Sequence, residues 1–93
     1  MKEKLFDAAQ KGDINTVKQL IDEGVDVNQK NKYGQTALME AAYGGRAEVV
    51  KLLLENGAKV NEKDDLGGAA WIWAVINGHF EIVELLKQHG ANE

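Results

Sequence analysis

The side chains able to do chemistry are few and badly placed for it. The chain has 93 residues, two histidines (His79 and His89) and no cysteine. Thiolate metal sites, cysteine nucleophiles and disulfides are therefore absent by composition. Nothing in the spacing sets the two imidazoles beside each other or beside converging carboxylates, and a catalytic or metal site needs several groups placed mutually. Asp64-Asp65 reads as a turn pair. Gly67-Gly68 lacks the Lys-Ser/Thr ending of a phosphate-binding loop. The expectation is no catalytic residue, no metal and no cofactor. What remains is recognition chemistry. Trp71 and Trp73 lie two apart, so on one helix they cannot share a face. Lys30, Lys32, Lys59 and Lys63 cluster in loop-like segments, either as solvated charges or as a basic rim that meets an acidic patch. The net charge of −4 argues against nucleic acid, because phosphate binding needs a basic footprint.

The elements that position these residues repeat. Gly12, Gly45 and Gly78 are each 33 apart, as are Gly24, Gly57 and Gly90. The same offset of 33 relates Ala8, Ala41 and Ala74, then Val17, Val50 and Val83, then Leu20, Leu53 and Leu86. Asn28 pairs with Asn61 and Gly34 with Gly67. A fixed period of this length means stacked units that bury their apolar stripes jointly. Each unit reads as helix, tight turn, helix, loop. Helices are predicted near 4–11, 14–23, 36–44, from about 48 to before Gly57, 69–77 and 79–89. Thr36 is the expected cap of the third helix, and Gly57 suits a left-handed helix end. The segments 25–34 and 58–67, rich in Asn, Asp, Lys and Gly, read as loops.

The run Asn31-Lys32-Tyr33-Gly34-Gln35-Thr36-Ala37-Leu38-Met39-Glu40-Ala41-Ala42 resembles the ankyrin pattern Asp-x-x-Gly-x-Thr-Pro-Leu-His-x-Ala-Ala. Glu48 to Asn61 resembles its second half, including the closing Gly57-Ala58-Lys59-Val60-Asn61. The resemblance implies an all-α ankyrin-repeat solenoid of three stacked helix-turn-helix units joined by β-hairpin-like loops. It implies a single domain over 1–93, with units near 1–30, 31–63 and 64–93. The third unit departs most. Ala69 replaces the capping Thr, an extra Gly68 adjoins the turn, and Trp71 takes the core place of Leu5 and Leu38. A tryptophan there must overpack the core or lean out. The expectation is Trp71 in the core, Trp73 facing outward, and a unit that opens more easily.

Family resemblance puts the binding surface on the loop tips and the exposed side of each first helix, a surface that also carries Gln10, Lys11, Glu40 and Gly68. The expected anchors are Tyr33, Tyr43, Leu66, Trp73 and Ile76, ringed by Lys30, Lys32, Gln35, Lys63, Asp65 and Asn77. Large apolar residues gathered on a solvent face mark interfaces. The implied function is a non-catalytic module that binds a protein partner on its concave face. A homo-oligomeric assembly through the same patch is the alternative, so self-association stays open. A binder with an engineered third repeat would show the same concentrated rule-breaking. His79 is expected to hold the tight turn, and His89 to face a helix C-terminus. The longest apolar run, Ala69 to Ile76, is too short to span a bilayer, and the lack of cysteine favours a reducing, cytoplasmic (intracellular) setting. Polar Lys2-Glu3-Lys4 reads as an N-terminal cap of the stack; the end at Glu93 leaves room for a longer array.

Overall fold

The computed structural model describes residues 2–92. Its helices are α1 (Lys2–Lys11), α2 (Ile14–Asp22), α3 (Ala37–Gly44), α4 (Ala47–Glu55), α5 (Ala70–Ile76) and α6 (Phe80–Gln88). They pair as α1·α2, α3·α4 and α5·α6. The first helices stack α1 on α3 on α5, and the second helices stack α2 on α4 on α6. No residue among those described is in a β-strand. Each helix boundary lies within about two residues of the sequence reading. The polar cap read at Lys2 and Glu3 falls outside the described side chains.

One turn recurs three times. The amides of Asp13, Arg46 and His79 donate to the carbonyls of Ala8, Ala41 and Ala74 at 2.9, 2.9 and 2.8 Å. These alanines are buried, and their small side chains let α1, α3 and α5 approach closely. The turn needs a residue with positive φ, and Gly45 supplies it at +74°. A Cβ added there would sit 2.7 Å from the His79 ring. At the end of α4, Gly57 takes φ +89°. Its amide reaches Leu54 and that of Ala58 reaches Leu53, the two bonds of a Schellman cap.

Cross-unit bonds follow the same period. Asn28 donates to the Gly57 carbonyl at 3.0 Å and accepts from the Lys59 amide at 2.7 Å. Asn61 repeats this with Gly90 and the Asn92 amide at 3.1 and 2.8 Å. Arg46 Nε donates to the Gln10 carbonyl at 2.8 Å, and His79 Nε2 lies 3.2 Å from the Tyr43 carbonyl, the equivalent atom one unit on. His79 therefore ties two units together, beyond the local turn role expected for it. The core between the layers holds Leu5, Val17, Leu38, Val50, Leu53, Ile82 and Leu86. Each such side chain contributes roughly 1.5–3 kcal/mol on leaving water.

The third unit is the least reinforced. Thr36 accepts from the Met39 amide at 3.4 Å and its own amide donates to Met39 Sδ at 3.4 Å, so α3 starts with a reciprocal cap. Ala69 offers α5 no side-chain cap, and α5 is seven residues against eight in α3. Trp71 does not bury as Leu5 and Leu38 do: it is half-buried, packed against the core. Val75 and Phe80 are 38% and 66% exposed.

Candidate partner-binding face

Two loop tips and three first helices make the candidate face. Each tip is shaped by one acceptor. Asn31 Oδ1 takes the amides of Tyr33 and Gln35 at 2.9 and 3.0 Å, and Asp64 Oδ1 takes those of Leu66 and Gly68 at 3.0 and 2.8 Å. Backbone bonds from Asn31 to Gln35 and from Asp64 to Gly68, both 2.9 Å, close the tips as hairpin turns. The Asp65 amide donates to the Tyr33 carbonyl at 3.1 Å and locks one tip to the next. Tyr33 and Leu66 are thereby held at the tips, 57% and 85% exposed.

On the helices, the period aligns Asp7, Glu40 and Trp73 in one row and Gln10, Tyr43 and Ile76 in the next. Ile76 and Tyr43 are 64% and 47% exposed. Trp73 is half-buried and oriented by its own chain: its indole Nε1 donates to Asp64 Oδ2 at 3.1 Å. The Tyr43 ring meets it edge-on, with centroids 6.1 Å apart and planes at 61°. Tyr33, Gln35, Tyr43 and Trp73 converge, with Gln10, Met39 and Glu40, on one hollow of about 350 Å³. A second hollow of about 860 Å³ adjoins it, lined by Lys4, Phe6, Asp7, Gln10, Lys30, Asn31, Lys32, Tyr33 and Glu40.

The basic ring divides. Lys30 pairs with Glu62 at 3.0 Å and donates to the Lys63 carbonyl at 3.2 Å, so it bridges adjacent loops. Lys32 Nζ lies 5.2 Å from the Tyr33 ring centroid. Lys63 instead lines a separate hollow with Asn61, Trp71 and Asn92. Asn77 donates back to the Trp73 carbonyl at 2.9 Å and finishes α5. Asp65, Leu66, Ile76 and Asn77 are all exposed and line neither concave hollow.

Glu40 belongs to both concave hollows, which its place on the family-like surface did not single out. Burial pushes its carboxyl above the ordinary value. Val75 and Phe80 are the other omissions. Their equivalents Ala42 and Ala47 pack inward, so the pattern of earlier units gave no reason to expect them outside. Among the described residues, no three His, Asp or Glu side chains stand together as a metal site. No described helix is long and apolar enough to cross a membrane.

A family model described as ankyrin repeats in three copies matches residues 5–93. No curated protein matches the chain. Among solved structures, the chain superimposes with a TM-score of 0.93 and 37% identity on one chain of a complex between the predatory endopeptidase Bd0816 from Bdellovibrio bacteriovorus and immunity protein Bd3460. The match covers 96% of this chain and 47% of the other, so this chain spans about half the length of its solved relative.

Proposed function

The chain belongs to the ankyrin-repeat family, and from that premise we propose that it is a non-catalytic binding module which holds a protein partner on its concave face. One observation carries the reading: Tyr33, Tyr43, Leu66 and Ile76 are large, apolar and exposed on the loop tips and first helices. Burying such residues is the main favourable term in association, and tyrosine and tryptophan are enriched where interfaces concentrate their energy. The tip-to-tip bond, the Asp64–Trp73 bond and the Arg46 and His79 bridges stiffen this surface before any partner arrives. Stiffness lowers the ordering cost of binding. The solved relative comes from a complex of an endopeptidase with an immunity protein, which makes a folded enzyme the first partner class to test.

The test compares proteins retained by the immobilised chain with those retained by the double variant Leu66→Ser, Ile76→Ser, with Lys51→Ser on α4 as the control. Both apolar positions are exposed, so folding is expected to survive. A partner kept by wild type and the control, and weakened by about 2 kcal/mol or more in the double variant by calorimetry, supports the reading. Equal affinity for all three removes the concave face as the binding surface.

A second reading has its own observation. Val75 and Phe80 are large apolar side chains, 38% and 66% exposed, that line neither hollow of the candidate face. A second copy seated there would give a concentration-dependent dimer that Phe80→Glu abolishes in a sedimentation run. A strict monomer at millimolar chain rules it out.

A further inference from the structure

We propose that the hollow walled by Tyr33, Tyr43 and Trp73 receives an arginine side chain of the protein partner, with the Glu40 carboxylate as its counter-charge. The inference rests on the concave-face reading and names the chemistry at its centre.

Three observations converge. The first is an unmatched charge. Glu40 is half-buried, its carboxylate still reaches water, and no hydrogen bond or ion pair to it forms among the described residues. A carboxylate partly stripped of water without a partner is destabilised, and a cation brought to it recovers part of that cost. The second is the wall. Trp73 is pinned by Asp64, and Tyr43 stands against it at 61°, so two rings make a fixed corner. Aromatic faces attract cations, and a planar guanidinium stacks on them while its fork meets a carboxylate in two bonds. Lys32 already rests against Tyr33, so one ring of this wall holds a cation in the free protein. The third is size. At about 350 Å³ the hollow lies at the small end for ligand sites and suits one long side chain.

The charged neighbours leave the place open. Lys30 is engaged by Glu62, and Asp7 by Lys11 at 3.0 Å. Lys32 lies on Tyr33. Lys4 lines the adjoining hollow, which Glu40 also lines, without an ion pair to Glu40. Lysine could satisfy the charge, but it lacks the planar donors that match a carboxylate beside an edge-on ring pair. Gln10 adds an amide at the rim of the same hollow.

The full chain is titrated with Nα-acetyl-arginine amide, and separately with Nα-acetyl-citrulline amide, a neutral near-isostere, while amide and indole resonances are followed by NMR. The arginine probe is expected to shift the Trp73 indole N–H and the amides of Glu40 and Tyr43 saturably. Citrulline should leave them in place. Glu40→Gln, which keeps shape and helix content, should weaken the arginine response about tenfold. Equal responses to both probes, an unchanged response in Glu40→Gln, or shifts confined to other acidic residues overturn the proposal. If the arginine site fails while Leu66→Ser, Ile76→Ser still releases the protein partner, only the cation site falls. If both fail, the concave face falls with it.

Discussion

Replacing Asp64 tests whether one buried acceptor holds both the loop tip and the Trp73 wall. Its Oδ1 takes two backbone amides, at 3.0 Å from Leu66 and 2.8 Å from Gly68, and its Oδ2 takes the Trp73 indole at 3.1 Å. In Asp64→Ala the Leu66 amide turns to water at little cost. Gly68 is buried, so its amide loses its side-chain acceptor at about 1–3 kcal/mol. The half-buried indole adds about 1 kcal/mol. The expected loss is about 3 kcal/mol, on the order of 15 °C in Tm for a domain of this size. Asp64→Asn separates the two roles. Asn31 already serves the equivalent tip with a single amide oxygen, so asparagine at 64 should keep the turn and lose only the indole bond, about 1 kcal/mol. In a Trp73→Phe background that residual cost should vanish, since the donor is gone. Urea unfolding followed by far-ultraviolet circular dichroism measures wild type, the two Asp64 variants, Trp73→Phe and the double variant without relying on tryptophan, and equal slopes would show that denatured states are comparable. If Asp64→Asn is as damaging as Asp64→Ala, or keeps its full cost beside Trp73→Phe, the division of labour between the two oxygens is wrong.

Three further outcomes are expected. Thr36→Ala removes the cap of α3 and should cost about 1 kcal/mol in the same urea assay. Gly45→Ala combines a φ of +74° with a Cβ against the His79 ring; it should cost about 2 kcal/mol, and His79→Ala should relieve the steric part, leaving the backbone strain. Glu40 has a folded value raised by burial, so the folded state holds its proton to higher pH than the unfolded chain. Its ionisation therefore removes stability as pH rises from the ordinary carboxylate value through the raised one. Glu40→Gln should be more stable than wild type at neutral pH, with the difference closing in acid; a gain that persists unchanged at low pH would contradict this.

The fold was legible because its determinants are local and periodic. Glycines at the turns, Ala41 and its equivalents, and the Val and Leu stripes report where chain must reverse and where helices must touch, and three echoes of each remove ambiguity. Thr36 and Gly57 act on their own neighbours, so their roles could be read directly. The face was partly legible. Tyr33, Tyr43, Leu66 and Ile76 sit where the period places them, and their chemical type is unusual for an exposed surface. The half-burial of Glu40 was hidden, because it depends on Tyr33 and Gln35 arriving from a loop and Trp73 from the next helix. Lys30 also misled: its type suggests a free rim charge, while its reach lets it bridge to Glu62 and the Lys63 carbonyl. Trp71 stays half-buried where Leu5 and Leu38 bury fully, because its larger ring exceeds the place a leucine fills.

The irregular third unit links these threads. Without a threonine cap, α5 starts with no side-chain bond, and Gly68 and Trp73 are the residues that Asp64 gathers. A Cβ at Gly68 would lie 3.2 Å from the Trp73 indole nitrogen, so the extra glycine makes room for the ring. Asp64, Gly68 and Trp73 thus form one coupled set: the glycine admits the indole, the carboxylate orients it, and the indole walls the hollow that contains Glu40. The unit that lacks a side-chain cap at 69 is thus the one whose loop tip and first helix are cross-tied through Asp64. The bond from the Trp73 indole holds α5 to its own tip where α3 relies on the cap from Thr36.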